Sequence, residues 1–308
     1  SASPGCLPNT FRLSAQKARF QSMSIEWLLE PFQYGFMIRA FVGTSLIAVL
    51  AAMIGVFIVL KGLSFIGDAI AHISFAGIAL ALLLGWHPSL GAFLLASGTA
   101  VGITVLNRTA KVRYDTALAI VFTGAFAAGV IILARMPSFG GDISALLLGS
   151  VLGIRPQELW LIGGAVVMIG LILWLAYHHL VFAVFDPTGA EAAGLPVVGL
   201  NMLLTLMLST AVVVSIQSVG VVLVMALLIT PAATAGIFTR RLGRMIVLAG
   251  ALGMAATWAG LYLAYYYSLP PGATIVIMAT IEFGAALGIR QIKRRLKAGF
   301  AYGTRSGS

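Results

Sequence analysis

The chain has 308 residues, of which 60% are hydrophobic and only 9% charged, with a mean hydropathy of +1.04. Soluble domains carry about 25% charged residues, so this composition excludes a water-soluble globular protein and indicates a polytopic membrane protein. The formal net charge of +10 does not point to nucleic acid, because the basic residues sit in short connections between apolar runs, as they do in cytoplasmic loops.

Residues 1–34 read as an N-terminal extension and interfacial segment. Arg12, Lys17 and Arg19 precede no apolar core of signal-peptide type. Met23 opens a stretch that looks like a natural start, so residues 1–22 are expected to be non-native, and residues 303–308 resemble a cloning remnant. The lone cysteine, Cys6, excludes an intrachain disulfide and a CxxC metal site.

A transmembrane domain is expected over 35–289. Apolar stretches that cross, or nearly cross, a core of about 30 Å run over Gly35–Leu60, Phe65–Trp86, Leu90–Leu106, Thr116–Ala134, Leu159–Val184, Val197–Ser215, Val219–Phe238, Met245–Tyr266 and Gly272–Ile289. Ile143–Ile154 is too short to span and is expected to be re-entrant or interfacial. The predicted fold is therefore all-α, with eight or nine transmembrane helices and a short re-entrant helix. Lys61, Arg108, Lys111, Arg113, Arg240, Arg241 and Arg244 fall in one set of connections, with a basic tail over 290–308, whereas Arg135 and Arg155 alone fall in the other. The first set is cytoplasmic by the positive-inside rule. With nine spans the N-terminal side is external, where Arg12, Lys17, Arg19 and Arg39 fit that rule poorly.

Acidic residues are few and selectively placed. Of nine, only Asp68 and Glu282 fall well inside a span. Asp68 and His72 are four residues apart, which puts them on one helix face, and an ionisable group in lipid is costly enough to suggest function. Carboxylate plus imidazole suits a divalent transition metal. At a rise of about 1.5 Å per residue, Asp68 lies roughly 10 Å and Glu282 roughly 12 Å from the inner boundary, so depth allows all three to converge. The bland alternatives are helix-to-helix hydrogen bonding for the pair and snorkelling for Glu282.

Other polar residues read as structural. His87 belongs to an outer loop, His178 and His179 to an inner interface, and Asp115 and Asp142 to helix caps. Tyr262, Tyr265, Tyr266 and Tyr267 look like an aromatic belt. The cytoplasmic connection Phe185–Pro196 carries no Lys or Arg. It begins with the helix-start signal Asp186-Pro187 and stops at Gly194, which suits a short helix docking on another protein, or an ordinary interfacial connection.

The stretches Leu63–Gly77, Asp115–Phe122, Leu147–Ser150, Phe185–Pro196 and Leu227–Ala235 together resemble the permease subunits of ATP-driven zinc, manganese and iron importers. The resemblance implies a fold related to the vitamin and siderophore permeases. It also implies two permease copies around a central pathway, a cytoplasmic ATP-binding subunit on each, and an extracytoplasmic metal-binding protein. On that resemblance Asp68 and His72 contact the metal. Phe185, Asp186, Pro187, Glu191 and Gly194 belong to the segment that couples to the ATPase. Glu282 is a metal candidate on depth alone. No permanently bound cofactor is expected, only the transported manganese, zinc or iron.

The sequence contains no Gly-x-x-x-x-Gly-Lys-[Ser/Thr] phosphate loop, so the chain is expected to be a transport subunit rather than an enzyme. The alternative is a proton-coupled secondary transporter that uses Asp68, His72 and Glu282 as a relay; no internal repeat of the kind common in such proteins is evident.

Overall fold

The computed structural model describes residues 29–110, 114–136 and 149–303. No strand occurs among them. After a 3-10 turn at Glu30–Gln33 come α1 (Gly35–Leu60), α2 (Ser64–Leu83), α3 (Pro88–Ala110) and α4 (Tyr114–Ala134). A second 3-10 turn, Val151–Gly153, precedes α5 (Pro156–Phe185), the six-residue α6 (Pro187–Ala192), α7 (Val197–Val219), α8 (Val221–Phe238), α9 (Leu242–Tyr267) and α10 (Pro271–Gly303). Eight helices among the described residues are long and apolar enough to cross a membrane, and α3 has a shorter apolar part, Pro88–Ile103. Each span read from the sequence thus corresponds to one helix of a multi-pass membrane protein.

The boundaries shift where local chemistry overrides hydropathy. α5 starts at Pro156, whose fixed φ suits a first helical position, and the Glu158 carboxylate accepts from the Arg155 backbone N–H at 3.4 Å. α7 continues to Val219, and a single residue, Gly220, turns the chain into α8. Its φ of 83° and ψ of 165° are open to glycine and strained for any side chain. α10 continues helically past Arg290 to Gly303, because Arg and Lys favour helix and nothing there stops it. Asp142 and 143–148 of the expected re-entrant piece lie outside the described residues. Its described end is the Val151–Gly153 turn, with Val151 and Ile154 buried and the turn packed on α1.

α1 and α2 form the centre, with 67% and 72% of their spanning windows buried, against 22% for α4, α5 and α10. α1 packs on α5, α8 and α9, while α2 packs on α3 and α4. Lipid supplies no hydrophobic force between helices, so close packing of small residues takes its place. Gly77 of α2 and Gly91 of α3 bring two backbones together so closely that a Cβ on either would strike the other's carbonyl oxygen. Gly55 of α1 meets the Leu228 carbonyl of α8 in the same way. The outward face of α5 carries Trp160 (84% exposed) and Trp174 (75%). That surface would be untenable in water and fits hydrocarbon.

Polar contacts tie the two ends. At the end expected to lie outside, Arg39 Nε donates to the Ile154 carbonyl at 3.1 Å, a local partner for an arginine that fitted the charge rule poorly. Ser218 Oγ donates to Glu158 Oε2 at 3.1 Å, and Gln217 Nε2 to Ser89 Oγ at 2.8 Å. The Tyr266 hydroxyl lies 3.4 Å from a Glu30 carboxylate oxygen, so part of the aromatic belt is also a tether. At the opposite end, the Lys61 ammonium donates to Asn201 Oδ1.

Candidate functional site

Asp68 is the fifth residue of α2 and His72 lies one turn further on. The helix does place them together: His72 Nδ1 is 3.6 Å from Asp68 Oδ1 and 2.9 Å from the Asp68 backbone carbonyl. Both near neighbours are oxygens with lone pairs, so in the neutral ring the tautomer they favour carries its proton on Nδ1 and donates to the carbonyl. The other ring nitrogen, Nε2, is then left with a free lone pair, the form in which imidazole ligates metals. The side chains of Asp68 and His72 are 37% and 24% exposed, so neither is sealed into the packing.

Aromatic rings hold the imidazole. Phe122 and Phe126 of α4, themselves one turn apart, present edge-to-face contacts to His72 with centroids 5.4 and 5.2 Å away. Phe122 also meets Phe65, and Phe126 meets Phe75. The sequence reading missed these residues, although their four-residue spacing on an apolar helix was visible. Behind Asp68, Gly67 accepts the side chains of Met225 and Leu228 from α8 so closely that a Cβ there would lie 2.8 Å from each. A side chain at position 67 would require the ends of Met225 and Leu228 to shift.

Glu282 is not gathered with the pair. It sits on α10, which packs against α8 and α9, and it is partly buried. Among the described residues, no group of three or more His, Cys, Asp or Glu side chains is close enough to hold a metal ion. One chain thus offers one carboxylate and one imidazole at an open face. His87 is exposed, its Nδ1 3.4 Å from the Ser89 N–H at the start of α3, and His178 and His179 are exposed near the inner end of α5. The Asp115 side chain lies outside what is described.

The second candidate surface is α6. Asp186 caps it, with Oδ1 accepting from the Gly189 N–H at 2.8 Å. Gly194 closes it with φ +81°. Ala190 is fully buried with Ala183 and Val197, whereas Phe185, Asp186, Pro187, Glu191 and Gly194 are exposed. A short helix is thus pinned by one small residue and presents the rest of its surface outward.

Residues 33–289 match the ABC 3 transport family. Over 253 residues the chain is 37% identical to the manganese transport system membrane protein MntC of Halalkalibacterium halodurans, spanning 82% of this chain and 87% of that protein. Over 272 residues it is 34% identical to a probable iron transport system membrane protein of Haemophilus influenzae, spanning 88% and 99% respectively. The solved structure of PsaBC from Streptococcus pneumoniae in complex with Fab aligns with a TM-score of 0.79 at 31% identity, over 89% of this chain and 99% of that one.

Proposed function

Because the chain belongs to the ABC 3 transport family, we propose that it is the permease through which an ATP-driven importer carries a divalent transition metal across the cell membrane. The observation that carries this reading is the Asp68–His72 pair, two titratable side chains 3.6 Å apart on a membrane helix and open on one face. Manganese, zinc and ferrous iron are the cargoes that an oxygen and an imidazole nitrogen suit. Relatives named for manganese and iron transport favour the same class.

On this reading the Asp68 carboxylate supplies charge and an oxygen ligand, and His72 Nε2 supplies a nitrogen. Two ligands are too few to replace the water shell of such an ion. A second copy of the chain, related by two-fold symmetry, would offer another carboxylate and imidazole across a shared pathway. The limited burial of α4, beside the pair, leaves a surface for that copy. Binding at such a site has to be strong enough to strip water yet weak enough for release. Glu282 stands as a further ligand candidate, on depth within α10.

Energy comes from a separate cytoplasmic ATP-binding subunit docked on α6 through Phe185, Asp186, Pro187, Glu191 and Gly194. An extracytoplasmic metal-binding protein delivers the ion to the outer face. The secondary-transporter alternative asks Asp68, His72 and Glu282 to act as one relay, and no such three-residue group is assembled in the described chain.

The test is metal uptake in cells carrying the permease with its ATPase and binding protein. Wild type is compared with Asp68→Asn, His72→Gln and Glu282→Gln at matched membrane abundance, with manganese, zinc and iron quantified together. Loss of one metal's uptake in the first two variants is expected. Undiminished uptake in both would reduce the pair to helix packing.

A further inference from the structure

Lys61 closes α1, and its ammonium donates to Oδ1 of Asn201, the fifth residue of α7, 140 residues away in sequence. A lysine in a cytoplasmic connection ordinarily extends its charge into water. This one is partly buried, and burial pushes its pKa down. No carboxylate lies within ion-pair distance of it among the described residues. It exchanges hydration for a neutral amide acceptor, an arrangement that a simple positive-inside anchor does not require.

The two elements it joins are the two halves of the proposed machine. On one side, Asn201 lies just beyond Pro196, where the chain leaves α6. The small core of Ala183, Ala190 and Val197 is flanked by Leu195 and Leu200, and Leu200 also packs on the main core. Displacement of α6 is thus passed to the first turn of α7. On the other side, Lys61 is separated from α2 by Gly62 and Leu63, and the Leu63 N–H is bonded back to the Ile58 carbonyl at 3.1 Å. That tight turn has no slack, and α2 then runs unbroken from Ser64 through Asp68 and His72. α7 also packs on α2, but van der Waals surfaces can slide, whereas a directed, charge-assisted hydrogen bond fixes position.

We propose that Lys61 and Asn201 are positioning residues of the transport cycle: their bond ties the α6–α7 segment to the helix bearing Asp68 and His72, so that movement of α6 shifts or tilts the metal pair. This rests on the reading of α6 as the ATPase dock and of the pair as the pathway. Neither residue touches the metal. Their effect is on the coupling between ATP use and transport.

The experiment uses the full complex of permease, ATPase and binding protein in liposomes, measuring manganese uptake and ATP hydrolysis together. Lys61→Met and Asn201→Leu are each expected to lower metal carried per ATP hydrolysed by about fivefold or more, the lower end of typical couplings between sites. Lys61→Met with Asn201→Leu is expected to be no worse than either alone, since both remove one bond. Asn201→Asp, which keeps an acceptor for the ammonium, is expected to retain coupling and to report that the position tolerates change. An unchanged ratio in the single variants, or a double variant that falls by the product of the two, overturns the proposal. Asp68→Asn runs beside them. If it abolishes uptake while Lys61→Met leaves the ratio intact, only the tether fails. If Asp68→Asn itself transports normally, the pathway reading fails first.

Discussion

Replacing Gly77 by alanine adds one methyl group at the closest approach of α2 and α3. The new Cβ would land on the Gly91 carbonyl oxygen and 2.8 Å from the Ala92 Cα. Carbon atoms rest at about 3.5 Å or more, and the opposing atoms are backbone, which cannot rotate away. The helices would have to separate by roughly 1 Å to recover ordinary contact. Overpacking costs about 1–3 kcal/mol, here about 2–3 because backbone opposes the new methyl, whereas alanine is favoured over glycine inside a helix by about 1 kcal/mol. The net expectation is a loss of about 1–2 kcal/mol, or roughly 2–4 °C in Tm for a chain of this size. Gly98, on α3, has nothing within 4 Å of its Cβ direction, so Gly98→Ala shows the propensity gain alone and raises Tm by about 2 °C. Tryptophan fluorescence against temperature, on purified protein in one detergent, reads both variants. A Gly77→Ala protein melting at or above wild type would refute the close approach, and with it the placement of α2 against α3.

Other expectations follow from single contacts. Phe126→Ala removes an edge-to-face partner of His72, worth about 0.5–1.5 kcal/mol, and is expected to lower uptake at limiting metal roughly two- to tenfold at unchanged abundance. Arg39→Leu leaves the Ile154 carbonyl without its donor, a loss of about 1.5–3 kcal/mol. In a Cys6→Ser background, a cysteine introduced by Val151→Cys should then react with a membrane-impermeant maleimide about tenfold faster or more. Asp186→Ala removes the cap on α6 at about 1 kcal/mol. It should reduce recovery of the ATPase in a pull-down from membranes, while Asp186→Asn, which keeps the acceptor, should not.

Long apolar runs made the spans readable, and the four-residue spacing of Asp68 and His72 fixed their shared face without any tertiary knowledge. Orientation about each helix axis was hidden, for a physical reason. In water an amphipathic stripe reveals which side is buried, but α1 is apolar on every side and lipid asks for nothing different. Glu282 could therefore be placed by depth and not by facing, and the rings of Phe122 and Phe126 were indistinguishable from lipid-facing ones. Charge misled where it was satisfied locally. Lys61 and Arg39 counted as loop or interface cations, yet one bonds Asn201 and the other the Ile154 carbonyl. Those partners lie more than a hundred residues away, and no local pattern announces them.

The one-residue turn at Gly220 forms a fulcrum between α7 and α8. Gly149 seats its backbone directly against Val219 and Gly220, and the one-residue connection leaves α7 and α8 little room to separate at that end. A change between them would be chiefly angular, with a reach that grows toward the far end of α8. α8 has 18 residues, a lever of about 27 Å at the helical rise. A 5° change at the fulcrum sweeps its far end through roughly 2 Å, enough to open or close contact with a neighbour. Leu228 and Met225, which press on Gly67 beside the metal pair, ride on the same lever nearer the fulcrum, where the same rotation produces a smaller displacement.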